Sequence, residues 1–124
     1  MIDGLFSNTN YLASKQMLDI TQLRHEALAS NIANVETPEY KRIDLPKDFS
    51  KEFAAHLKTG TLDELSTPSL SADSETTSQR VDGNNVEIDK ELTEMSSNTL
   101  QYNTLTEFVS ASLKQLKVAI TGRS

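Results

Sequence analysis

The chain has 124 residues, no Cys, no Trp, four Phe, three Tyr and a formal net charge of −6. Its hydrophobic content of 36% falls below the roughly 45–50% usual for a globular domain even with Gly added, so it has room for one domain and a modest core. These figures exclude disulfides and thiolate chemistry, leave no run of ~20 apolar residues to span a membrane and offer no basic surface for nucleic acid.

The first predicted element is a helix over 8–35. At about 100° per residue, Met17, Leu28, Ile32 and Val35 cluster on one side, flanked by Ala13, Ile20 and Ala27, with Lys15, Asp19, Gln22 and Glu26 opposite. That is an amphipathic helix with a wide apolar face. Ser7, Asn8 and Asn10 are all N-cap residue types. Pro38 disfavours a helical Thr37, and Asn34 is a type that tolerates helix-ending conformations.

The middle segment, 36–86, is expected to hold little regular structure. Phe49, Phe53 and Leu57 recur at i, i+4 and i+8, which predicts a short helix starting near Pro46 or Asp48. Over 60–85 Ser, Thr, Gly and Asp dominate. Too few apolar side chains remain there to offset ordering entropy. A loop is expected, disordered or ordered only by a partner.

The last element is a helix over 87–121. Leu92, Met95, Thr99, Tyr102, Thr106, Val109, Leu113, Leu116 and Ile120 alternate spacings of three and four. A 3.5-residue period sustained that long predicts lengthwise packing on another helix. Glu87, Asp89, Glu91 and Glu94 open the helix and Lys114, Lys117 and Arg123 close it, in keeping with the macrodipole. Asp89 is the expected N-cap and Gly122 the expected stop. The predicted fold is therefore all-α, one unit over 1–124. Two long terminal helices pack as a coiled-coil hairpin around a poorly structured middle with one short helix. Leu92, Met95, Tyr102, Val109, Leu113, Leu116 and Ile120 are expected to bury against Met17, Ile20, Leu28 and Ile32. Apolar residues beside that seam, such as Leu105 and Phe108, call for further subunits.

Catalytic residues are not expected. His25 and His56 are the only histidines, and no Ser lies in a G-x-S-x-G context. The acids at 87–94 suit a helix N-terminus without any metal. Asp82-Gly83-Asn84-Asn85 opens like a calcium loop but lacks the sixth-position Gly and the later Glu, so it reads as a turn. With four Gly there is no Gly-rich phosphate loop. No metal, cofactor or small-molecule substrate is expected.

The segment around the end of the first helix is more telling. Asn31 and Asn34 are costly there for helix propensity, yet their amides suit bonds to nearby backbone. Thr37-Pro38-Glu39-Tyr40 reads as a turn with Pro38 at its second position. Ala29-Ser30-Asn31-Ile32-Ala33-Asn34, followed by Thr37-Pro38-Glu39-Tyr40-Lys41, resembles the N-terminal signature of bacterial flagellar rod, hook and related axial proteins. Val81-Asp82-Gly83-Asn84-Asn85-Val86-Glu87-Ile88-Asp89-Lys90-Glu91-Leu92, with Met95, Asn98, Leu100, Gln101 and Tyr102, resembles the C-terminal signature of the small rod subunits.

The resemblance implies a structural subunit of the proximal rod. Its motif residues here are Leu28, Ala29, Asn31, Ile32, Ala33, Asn34, Thr37, Pro38 and Tyr40, with Asp82, Gly83, Asn84 and Asn85. It implies export by the flagellar type III apparatus without a cleavable signal peptide, and a place in the periplasmic rod of the basal body. The start of the chain agrees, because no charged region precedes an apolar one. The implied partners are other rod proteins, copies of the chain itself and the membrane-ring adaptor protein. One residue departs from the family, which usually has Gly where this chain has Glu39. Glu39 is disfavoured at the positive φ of a type II turn, so a type I turn or an extended path is expected. From another class, a secreted helical adaptor or chaperone-like binding protein acting as a soluble oligomer also fits the composition.

Overall fold

The computed structural model describes residues 9–73, 75–78 and 80–123. Two long helices, α1 (Thr9–Ala33) and α3 (Ile88–Thr121), flank a middle that holds one short helix, α2 (Phe49–Thr59). The middle adds a 3-10 turn at Leu62–Glu64 and two-residue strands β1 (Ile43–Asp44) and β2 (Ser71–Ala72). The strands pair antiparallel, Ile43 with Ala72 and Asp44 with Ser71. The rest of the middle is irregular, as its composition requires. Asp73, Thr76, Ser78, Arg80, Asn84 and Asn85 are nevertheless bonded within the chain, which differs from the expectation of a loop ordered only by a partner.

α1 and α3 form an antiparallel hairpin. Thr21 accepts from Asn98, Arg24 pairs with Glu94, and Asn31 bonds to Glu91, so rising numbers on one helix meet falling numbers on the other. At 25 residues α1 extends ~37 Å, and at 34 residues α3 extends ~51 Å. Lys15, Asp19, Gln22 and Glu26 are exposed and Ile20, Ala27 and Leu28 are buried, which follows the amphipathic pattern. Met17, Ile32 and Val35 are half-buried. Asn10 already lies within α1 and so does not cap it; Ser7 and Asn8 lie outside the described residues. Each fully buried large aliphatic contributes roughly 1.5–3 kcal/mol. Besides those three, the described residues bury only Phe49, Leu62, Val86 and Leu116 as apolar core.

The seam of α3 differs from the expected one. Leu116 is buried and Met95 and Val109 are half-buried, but Leu92 (48%), Leu113 (44%) and Ile120 (59%) are exposed and Tyr102 is at 38%. The inward column is instead Glu91, Met95, Asn98, Leu105, Val109, Ser112 and Leu116. The heptad period holds, but one of its two columns is displaced by a single residue. The physical reason is polar. Glu91 and Asn98 turn inward because hydrogen-bond partners on α1 and at Arg42, just before β1, await them, and this carries Leu92 and Thr99 to the flank.

The helix ends follow local chemistry. α2 begins after Asp48, and the Phe49 and Phe53 rings lie 6.2 Å apart with Phe49 buried. The N-cap of α3 is Glu87, in an extended conformation, rather than Asp89, which sits one residue inside the helix start. Asp89 there still faces the positive end of the helix dipole. Gly122 ends α3 in a left-handed conformation, its N–H bonded to Val118 O at 2.7 Å.

Candidate functional site

The polar residues of the two signature stretches meet at one end of the hairpin. Asn31 is fully buried on the last turn of α1. Its Nδ2 donates to Ile43 O (2.9 Å) and Glu91 Oε2 (3.1 Å). Its Oδ1 accepts from Ile43 N (2.8 Å) and from the Tyr40 hydroxyl (3.1 Å). Both donors and both acceptor sites of the amide are filled. One side chain thus stands in for a neighbouring strand along β1 and ties α1 to α3.

Just past α1 the backbone turns, and three of its carbonyls converge on Asn84, which is also fully buried; Asn34 O and Thr37 O accept from the Thr37 and Tyr40 amides as well. The Asn84 Nδ2 lies 2.9 Å from Asn34 O, 3.1 Å from Val35 O and 2.8 Å from Thr37 O, while its Oδ1 accepts from Val86 N. Arg80 Nη1 adds a bond to Val35 O at 2.6 Å and its Nη2 pairs with Asp82. Asn85 donates to Thr76 O and accepts from Arg42 N at 2.6 Å. Asn34 is half-buried and folds back on its own helix, donating to Ser30 O and accepting from the Thr37 hydroxyl.

The turn at 37–40 overturns the expectation for Glu39. Glu39 has φ 61, the positive value that the third position of a type II turn requires. Tyr40 N bonds back to Thr37 O, and Glu39 N donates to Asp82 O at 2.8 Å. The bonds from 82–84 therefore fix the backbone whatever residue stands at 39. A non-Gly residue held there costs about 1–2 kcal/mol. The Glu39 carboxylate lies over Gly83 so closely that a Cβ on Gly83 (φ +78) would meet it at 2.6 Å. That carboxylate is the far end of a flexible, exposed side chain and can swing aside, so it is the positive φ of Gly83 that disfavours any other residue there.

An ionic hub locks the opposite side of β1. Arg42 Nε bonds Glu91 Oε1 (2.7 Å), Nη1 bonds Asp73 (2.8 Å) and Nη2 bonds Asp44 (3.1 Å). Burial opposes the Arg42 charge, but Glu91, Asp73 and Asp44 outweigh it and raise its pKa. Arg24 joins Asp44 to Glu94. The Thr76 hydroxyl, then Arg42 and the Glu75 and Thr76 amides, hold Asp73 down to about 2 against burial that pushes it up. Glu91 is 2% exposed, with one oxygen on Arg42 and the other on Asn31. The hub's acids and bases are spent on each other, and the arrangement fastens β1, the segment after β2 and α3 together. His25 is exposed, and His56 Nδ1 is bonded to Thr61. Among the described residues no group of three or more His, Cys, Asp or Glu could hold a metal ion.

Of the signature residues, Leu28, Asn31, Asn84 and Asn85 are buried, and Ile32, Asn34, Tyr40, Asp82 and Gly83 are half-buried. Ala29, Ala33, Thr37 and Pro38 face outward. Arg42, Asp73, Arg24, Asp44 and Arg80 were not singled out by pattern, because a lone charge in a loop looks like solvated surface. Glu91 carried a signal, being one residue from a heptad position.

The helical hairpin and its clasp join the two stretches that resemble flagellar axial proteins, so the class is that of the axial proteins. No family model matches the chain. Individual relatives do. It is 34% identical over 130 residues to the flagellar basal body rod protein FlgB of Aquifex aeolicus, covering 89% of this chain and 91% of that one. It is 30% identical over 132 residues to FlgB of Escherichia coli (92% and 93% covered). Against FlgB of Bacillus subtilis the identity is 29% over 131 residues, with 96% and 98% covered. The chain belongs to the FlgB family of flagellar basal body rod proteins.

Proposed function

We propose that the chain is a structural subunit of the proximal rod, part of the drive shaft that carries torque from the membrane ring to the distal rod and hook. The observation that supports this most is the division of labour in the hairpin. One end is pinned by saturated polar bonds, and the longer helix keeps an apolar stripe (Leu92, Tyr102, Leu113, Ile120) in the open. A stripe of that kind suits burial between chains, and a pinned joint suits transmission of force. In this reading the partners are other rod proteins, further copies of the chain and the adaptor protein of the membrane ring. The chain reaches the periplasmic rod through the flagellar type III apparatus, without a cleaved signal.

The test is Leu113→Asp in a strain whose own copy is deleted. Rod assembly and motility are expected to be lost, with the chain still exported. Normal motility in that strain overturns the reading, as does an intact rod in the deletion strain itself.

A further inference from the structure

We propose that Asp82 is a site of self-modification, where the open chain converts aspartate to isoaspartate, and that the closed joint protects it. Asp82–Gly83 is one of two Asp-Gly pairs in the sequence; the other, Asp3–Gly4, lies outside the described residues. Gly has no Cβ, so the Gly83 amide nitrogen is unhindered toward the neighbouring carboxyl group. The step is an internal condensation. Gly83 N bonds to Asp82 Cγ and loses its proton, and a carboxyl oxygen departs as water. Water then opens the resulting succinimide. Attack at Cγ restores Asp82. Attack at the former backbone carbonyl breaks its bond to Gly83 N and leaves the chain running through Cγ. The water lost in the first step is regained in the second, with no change of oxidation state and no other reagent.

The closed joint holds both reacting groups. Asp82 Oδ2 pairs with Arg80 Nη2 at 2.8 Å, and Asp82 Oδ1 accepts from Asn84 N at 3.1 Å. Gly83 N donates to Arg80 O at 3.2 Å. The peptide between them is anchored from the turn at 37–40 and its neighbour: Asp82 O accepts from Glu39 N at 2.8 Å, and Gly83 O accepts from Lys41 Nζ. To cyclise, the carboxyl must leave two partners and the nitrogen a third, so the reaction passes through the opened joint. Asp82 is only half-buried; these bonds, rather than exclusion of water, restrain it. The product does not fit back. Isoaspartate lengthens the main chain by a carbon atom directly before Asn84, whose side chain must reach Asn34 O, Val35 O and Thr37 O together. A chain that stays open too long thereby becomes one that cannot close.

Ageing the full chain in neutral buffer, folded or in guanidinium chloride, tests this. Digestion after lysine releases residues 59–90, in which electron-transfer fragmentation tells isoaspartate at 82 from aspartate. Asp3 falls in a different peptide and is scored apart. Isoaspartate should build up at 82 in denaturant, and in the folded chain its rate should be lower by on the order of tenfold or more. Arg80→Ala, which frees the Asp82 carboxyl and the Val35 carbonyl, should raise the folded rate several-fold. Where circular dichroism shows that this variant does not fold, Arg80→Lys takes its place, keeping the charge and losing the fork. After dilution from denaturant, a short protease pulse should remove the chains isomerised at 82 first. Four results each overturn the inference: equal rates in the folded and unfolded chain, no isoaspartate at 82 in denaturant, a folded Arg80 variant as slow as the parent, or isomerised chains that survive the pulse as well as the rest.

Discussion

Asn31 and Asn98 are both buried amides on the inner faces of the hairpin, and they are treated differently. Asn31 fills all four of its bonding sites. Asn98 gives Nδ2 to Thr21 O and leaves its buried Oδ1 without a hydrogen-bond partner among the described residues. Around Asn31 charges are paired and carbonyls are capped. Beyond Asn98, α3 presents Leu113 and Ile120 to solvent. An unmade buried hydrogen bond costs roughly 1–3 kcal/mol, so the clasped end has been completed within one chain and the far end has not. The lesson is that specificity of the fold is concentrated at the polar joint, while α3 keeps large apolar residues such as Leu113 and Ile120 outside the core.

The largest effect should come from breaking the joint. We predict that Asn31→Ala, which strips Ile43 N–H and C=O and Glu91 Oε2 of a partner, lowers stability by about 3 kcal/mol in urea unfolding. Leu113→Asp should change the same quantity by no more than about 0.5 kcal/mol, as a surface substitution does. Equal costs at the two sites would erase the contrast between the ends. Next comes the ionic hub. Asp73 is held at about 2 against an ordinary 3.8. A depressed carboxyl contributes stability that is present above its unfolded value and lost as pH falls through the folded one. Melting temperature should therefore drop between about pH 4 and pH 2, and Asp73→Asn should flatten that limb while costing about 2 kcal/mol at neutral pH. An unchanged acid limb in Asp73→Asn would take the hub out of the account. The smallest effect is a gain. Glu39→Gly relieves a left-handed non-Gly residue and should stabilise by about 1 kcal/mol, read as a rise in melting temperature. A loss would mean that the Glu39 side chain holds the turn rather than straining it.

The helices were legible because their signals are local. The Met17-to-Val35 stripe, Pro38 and the terminal glycine at 122 set α1 and the end of α3 to within two residues. The heptad of α3 was legible in its period and misplaced in phase, since apolar pattern cannot show that Glu91 has Arg42 and Asn31 waiting for it. The clasp was half legible. Asn31, Asn84 and Asn85 stood out in the signature stretches, but nothing along the chain indicated that Asn84 would reach back to Asn34 and Thr37. Glu39 failed for the same reason. Local sterics argue against positive φ, and the long-range bond to Asp82 O decides it.

That Asn84 caps carbonyls some fifty residues upstream also sets an order of events in folding. Closing a loop of that length costs about 3.5 kcal/mol of chain entropy before the joint returns anything. α1 can wind on its own, and the Thr37 and Tyr40 amides reach Asn34 O and Thr37 O locally, but the bonds from Asn84 wait until residue 84 has been synthesised and brought back. The joint is therefore a late event, dominated by contacts distant in sequence. A chain halted before residue 80 would carry a first helix with an unfinished end.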